Sequence, residues 1–81
     1  MNTTIRLMVK KEVDIATARK ILKLKGSIIA NSFTDLIHYD DAGEDDYIHY
    51  FITPTAKREQ AREYIASYIS DQGLREAVAI L

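Results

Sequence analysis

Residues 4–10 alternate, with Ile5, Leu7 and Val9 on one side and Arg6, Met8 and Lys10 on the other. A period of two marks a strand with one buried face, so this segment is the first predicted strand. The period then changes. Asp14 offers an N-cap oxygen, Ile15, Ala18, Ile21 and Leu22 recur at helical spacing with the aliphatic stem of Lys25, and Gly26 stands where a helix would end. The spacing predicts a helix over 15–24.

Residues 27–39 are rich in Ile, Phe, Thr and Tyr, 40–46 form a polar run around Gly43, and 47–53 are again strand-like. This reads as a hairpin. Its register is open from the pattern, because Phe33, Ile37 and Tyr39 share a face with Asp35 while Leu36 falls on the other. Pro54 at a first helical position, with Thr53 as cap, predicts a second helix whose stripe is Ala61, Tyr64, Ile65, Tyr68 and Ile69, closed by Gly73. Residues 75–81 read as a short last strand, since Val78, Ile80 and Leu81 are too few for a helical face. A helical tail would instead leave a three-stranded sheet.

The order β-α-β-β-α-β with right-handed crossovers gives an α+β, ferredoxin-like sandwich: an antiparallel sheet of order 4-1-3-2 with two helices on one face. On this reading Ile5, Leu7 and Val9 meet Ile48, Tyr50 and Ile52 beneath the helices. The uncovered face then carries Arg6, Met8 and Lys10 beside Tyr47, His49 and Phe51. An open face with Met8, Tyr47 and Phe51 is expected to be a recognition surface or a subunit interface.

At 81 residues, 47% of them hydrophobic, the chain holds one core and one domain spanning 1–81. So small a core yields a net stability on the order of a few kcal/mol, and association that buries more surface is expected. There is no cysteine, which excludes disulfides, thiolate metal sites and thiol catalysis and favours a cytoplasmic location. The apolar stretch in residues 1–11 is interrupted by Arg6 and too short for a signal or a span, so no membrane partner is expected.

Charge adds what periodicity does not. The formal net charge is −1, yet residues 27–56 contain no Lys or Arg and hold Asp35, Asp40, Asp41, Glu44, Asp45 and Asp46. All eleven basic residues lie elsewhere, among them Arg19, Lys20, Lys23, Lys25, Lys57, Arg58 and Arg62. The acidic run lacks the alternating oxygen ligands and terminal Glu of a calcium loop. A dense set of carboxylates on a hairpin suits a Lys/Arg-lined groove of the kind that holds phosphates. His38 and His49 lie on the two arms of the hairpin with Asp35 near, but no third ligand or helical spacing makes a metal or acid–base site.

The glycines Gly26, Gly43 and Gly73 are too scattered to cradle phosphate, and no serine sits in a nucleophile elbow. The connection Lys11-Glu12-Val13-Asp14 lacks the glycine- and arginine-bearing anion cradle that an acylphosphatase of this topology uses. No enzymatic activity, cofactor or metal is therefore expected. The leading expectation is a non-enzymatic binding or regulatory protein that inhibits or modulates a partner with a basic surface. Its expected contacts are Asp40, Asp41, Glu44, Asp45, Asp46, Tyr47, His49, Phe51 and Met8. Small motif-free domains of this kind are frequent among phage and mobile-element accessory proteins, including inhibitors of host defence nucleases. One alternative is a homodimeric module that senses a small molecule. Another is an RNA-binding sheet like that of RRM domains, disfavoured by the acidic hairpin and by the absence of an aromatic from strand one. Contact through Arg19, Lys20 and Lys23 of helix one would be salt-sensitive and unspecific.

Overall fold

A computed structural model describes all residues 1–81. The chain forms β1 (Asn2–Lys10), α1 (Ile15–Ala30), β2 (His38–Asp41) and β3 (Asp46–Pro54). A 3-10 turn (Thr55–Lys57), α2 (Arg58–Asp71) and β4 (Val78–Ile80) complete it. The sheet order is β2-β3-β1-β4, and β1–β3, β1–β4 and β2–β3 all pair antiparallel. β1 and β2 thus run parallel with β3 between them, and β3 and β4 run parallel with β1 between them. This is the expected α+β sandwich of ferredoxin-like layout, with the tail forming its fourth strand.

One cluster of 13 buried hydrophobic residues joins the layers: Ile5, Leu7 and Val9 of β1, Phe51 of β3 and Val78 of β4 meet the stripes of both helices. In α2 that stripe is Ala61, Ile65 and Ile69, with Tyr64 and Tyr68 packed half-buried beside it, as the spacing predicts. Two polar ties help seat α2. Arg58 Nη1 donates to Thr3 Oγ1 at 2.6 Å and to the Thr4 carbonyl at 2.9 Å, while Tyr68 Oη donates to the Lys20 carbonyl at 3.3 Å.

The structure corrects the expected α1. The helix continues past Leu24 to Ala30, and its buried positions are Ile21, Leu24 and Ile28, whereas Ile15 and Leu22 are 73% and 68% exposed. Gly26 sits inside the helix with open space around its Cα. An interior glycine costs roughly 1 kcal/mol relative to alanine, and burial of Leu24 and Ile28 on either side of it outweighs that. The true end uses a different residue. Asn31 is the C-cap, Ser32 takes φ 63°, and the N–H groups of Ser32 and Phe33 donate to the carbonyls of Ile29 and Ile28 at 3.0 and 3.2 Å. This is a Schellman closure with serine in the left-handed position. α2 ends the same way around Gly73 (φ 68°), as expected, with Leu74 N–H donating to the Ile69 carbonyl at 2.9 Å. In both closures the residue after the turn, Phe33 or Leu74, is buried in the core.

Two boundaries also move. β2 begins only at His38, because 27–30 belong to α1 and Phe33 enters the core from the connecting loop. Pro54 closes β3 rather than opening α2, which starts at Arg58 after the 3-10 turn. Thr53 is a buried strand residue whose hydroxyl has no partner, not a helix cap.

The largest correction concerns β3. Ile5 is the cross-strand partner of Phe51, Leu7 of His49 and Thr3 of Thr53, and directly opposed residues share a face. Phe51, His49 and Thr53 therefore lie under the helices, while Ile48, Tyr50 and Ile52 lie on the open face, the reverse of the expected assignment. Both phases of β3 are apolar enough to be buried, so alternation alone does not choose between them. A one-residue slip inverts every side chain, and the core takes the phase that encloses the Phe51 ring.

Candidate functional site

The hairpin connects β2 and β3 through Ala42, Gly43, Glu44 and Asp45, with Asp41 opposite Tyr47 and Ala42 N–H donating to the Asp46 carbonyl at 3.0 Å. Gly43 has φ 106°, a backbone state that L side chains rarely adopt. Lys11, just past β1, holds this tip. Its Nζ pairs with Asp41 Oδ1 and donates to the Gly43 carbonyl at 2.8 Å, its backbone N–H donates to the Asp45 carbonyl at 2.8 Å, and the ammonium stands 5.0 Å from the Tyr47 ring centroid. The hydrogen bond to Asp41 raises the Lys11 ammonium above its ordinary pKa against the opposing effect of desolvation.

Lys11–Asp41 is the one ion pair in the chain. Asp40, Glu44 and Asp45 are exposed without a cationic partner, and Asp46 is half-buried at the start of β3. Asp40 and Asp46 face the open side of the sheet, since they oppose Ile48 and Lys10. The structure thus brings the five predicted acids to one hairpin and divides their roles. Asp41 anchors the tip, Glu44 and Asp45 project from it, and Asp40 and Asp46 border the sheet face.

The other predicted contacts separate. Met8 is half-buried on the open face as expected. Phe51 is 0% and His49 7% exposed on the helix side, and Tyr47 stands on that side at the hairpin end. A partner approaching the open face does not reach these three. The residues in their place are Ile48, Tyr50 and Ile52, of which Ile52 is 54% exposed. Sequence reasoning missed them as surface residues; the signal that finds them is the β1–β3 register.

The histidines also part company. His38 stacks on its cross-strand partner Tyr50 on the open face, with ring centroids 5.2 Å apart, and His49 stacks on Tyr39 on the helix side at 5.7 Å. They do not share a site. Burial, then the charge of Lys25, holds the His49 imidazole below the ordinary histidine pKa, and its Nδ1 has no hydrogen-bond partner. Lys25 Nζ lies 5.9 Å from the Tyr39 centroid. No three His, Cys, Asp or Glu side chains converge as a metal-binding group.

On the basic side, Arg19 and Lys23 are exposed, while Lys20 Nζ donates to the Gln72 carbonyl at 3.1 Å. That bond satisfies the C-terminal end of α2, where a cation is favoured, so Lys20 has a structural use. A depression of about 430 Å³ on the open face is lined by Thr4, Arg6, Asp40, Ile48, Tyr50 and Ile52, among others. A second, of about 350 Å³, lies at the opposite end of the sheet near Asp35, Leu36 and Pro54. No helix is long and apolar enough to cross a membrane.

Fold and surface together define a two-layer α+β domain with one bare sheet face and an acidic hairpin at its end. No protein-family model matches the chain, and no curated protein matches it at significant similarity.

Proposed function

We propose that this chain is a small non-enzymatic binding protein that modulates a partner by occupying a basic surface with its hairpin tip. The observation that carries this reading is the held tip. Lys11 clamps Asp41 and the Gly43 and Asp45 carbonyls, while Asp40, Glu44 and Asp45 stay exposed without cations of their own. Carboxylates presented on a fixed support steer a cationic partner and lose less entropy on binding than carboxylates on a mobile loop. An accessory protein of a phage or mobile element, blocking the nucleic-acid groove of a host defence nuclease, is the finer form of the same proposal. It draws on the chain's size and its lack of catalytic motifs.

The test removes charge and keeps shape. The triple variant Asp40→Asn, Glu44→Gln, Asp45→Asn retains the Lys11–Asp41 clamp, so its circular dichroism and melting temperature should match the parent. With a partner isolated from the native host, calorimetry should show about a tenfold or larger loss of affinity, and binding by the parent should weaken steeply with salt. Unchanged affinity in the triple variant would refute the reading.

A second reading, the homodimeric regulatory module, is favoured by a separate observation: the pattern of side chains on the open sheet face.

A further inference from the structure

The open face is ordered in cross-strand rows. Lys10 lies beside Asp46, Met8 beside Ile48, Arg6 beside Tyr50 and Thr4 beside Ile52, with the first of each pair on β1 and the second on β3. Asp40 and His38 of β2 extend the Ile48 and Tyr50 rows outward, and Ala79 of β4 extends the Met8 row on the other side. Cations therefore occupy the β1 half, and acids and the tyrosine occupy the β2–β3 half. Lys10 and Asp46 form no ion pair within the chain, and Arg6 makes no side-chain hydrogen bond or ion pair.

From this pattern the geometry points to a second copy of the chain as the occupant of the open face. A two-fold axis lying between two such sheets and parallel to β1 places each β1 over the partner's β3 and keeps the rows aligned. Lys10 then meets Asp46 of the partner subunit, Met8 meets the partner's Ile48, Arg6 lies over the ring of the partner's Tyr50, and Thr4 meets the partner's Ile52. Each contact occurs twice, as a symmetric interface requires. The sequence of contacts is ion pair, apolar pair, cation on aromatic ring and a threonine methyl on isoleucine, so every row is complementary to itself under this operation. Sheets packed face to face lie about 10 Å apart, within reach of the long Lys10 and Arg6 side chains.

Size sets the strength. Central strands nine residues long and outer strands of four and three, at about 3.3 Å per residue and ~4.8 Å spacing, give a face of roughly 400 Å² in projection. Twice that, about 800 Å², falls short of the ~1,000 Å² that a stable specific interface buries, so the dimer is weak and dissociates on dilution. A nucleic acid is a poorer occupant, because Asp40 and Asp46 share this face with Tyr50, the only aromatic side chain of β3 on it. The tip residues Glu44 and Asp45 lie beyond the rows, so this inference stands apart from the proposed function of the tip.

Sedimentation velocity of the full chain over a concentration series should show a reversible monomer–dimer equilibrium, and Tyr50→Lys, which sets a cation against the partner's Arg6, should weaken it at least about tenfold. The decisive arm uses two single variants, Lys10→Glu and Asp46→Lys. Each places like charges in opposing rows and should dimerise more weakly than the parent. Mixed, they restore both ion pairs only in the heterodimer, which native mass spectrometry should find as the dominant dimer. Circular dichroism checks folding of each variant, and the charge-swap arm stands even where Tyr50→Lys does not fold. A parent that stays monomeric throughout, a Tyr50→Lys protein that is folded and dimerises as the parent does, or a mixture without heterodimer enrichment would each overturn the inference. So would a monomeric parent that binds single-stranded oligonucleotide through this face.

Discussion

At the scale of single residues, the backbone around α1 is not at its stability optimum. Ser32 takes a left-handed conformation (φ 63°) at the position where Gly73 closes α2, and a non-glycine residue there carries a steric cost that glycine does not. Ser32→Gly should therefore stabilise the fold by about 0.5–1 kcal/mol, and Gly26→Ala, at an exposed interior helix position with open space at Cβ, by a similar ~0.5–1 kcal/mol. Urea melts of the two variants and their combination check both, and additivity is expected because the sites share no contact. His49 supplies a pH dependence. Its folded-state pKa lies below the ordinary value of 6.5, first through burial and then through Lys25, so the unfolded chain binds the proton more readily. Its contribution is present above the unfolded value and is lost as pH falls through 6.5 toward the folded value. The urea midpoint should drop on acidification across this window, and His49→Leu should flatten that part of the profile.

At the scale of elements, what the sequence discloses depends on how unequal its two phases are. β1 opposes Ile5, Leu7 and Val9 to Arg6 and Lys10, and α2 confines Ala61, Ile65 and Ile69 to one stripe, so both were legible, as was the short β4. β3 has Phe51 in one phase and Ile48, Tyr50 and Ile52 in the other, and only pairing with β1 decides. The end of α1 is not legible in the sequence, because Gly26 has the residue type of a terminator, whereas the closing residue is Ser32, whose type does not announce it. The two apolar phases of β3 are what put Phe51, His49 and Tyr47 in the expected contact surface and leave Ile48, Tyr50 and Ile52 out of it. The acids of the hairpin were legible because charge, unlike burial, does not depend on register. A pair of substitutions tests the corrected phase: Phe51→Ala should destabilise by about 3–5 kcal/mol, enough to unfold a domain this small, whereas Ile52→Ala should cost the monomer less than about 1 kcal/mol. Thermal melts at low protein concentration separate the two, and similar losses for both would return the strand to an ambiguous face.

At the scale of the whole molecule, the two surfaces lie on one sheet yet make separable demands. The hairpin tip is held by Lys11 from the end of β1, and the rows that complement a second copy run from Lys10–Asp46 to Thr4–Ile52. A two-fold axis parallel to the strands preserves their direction, so both acidic tips of the dimer emerge at the same end. Such a dimer doubles the negative field presented to a cationic groove and allows one partner with two basic sites to engage both tips at a raised effective concentration. The expected outcome is a double dissociation. Tyr50→Lys should abolish the dependence of melting temperature on protein concentration that a dissociating dimer shows, while its isolated tip still binds a monovalent basic partner within about threefold of the parent. The double variant Glu44→Gln, Asp45→Asn, which leaves Asp40 in its row on the sheet face, should keep that concentration dependence and lose partner affinity. Melting curves over a concentration series, run beside calorimetry on both proteins, read the two functions independently. Loss of both properties in either variant would show instead that tip and face act as one interface.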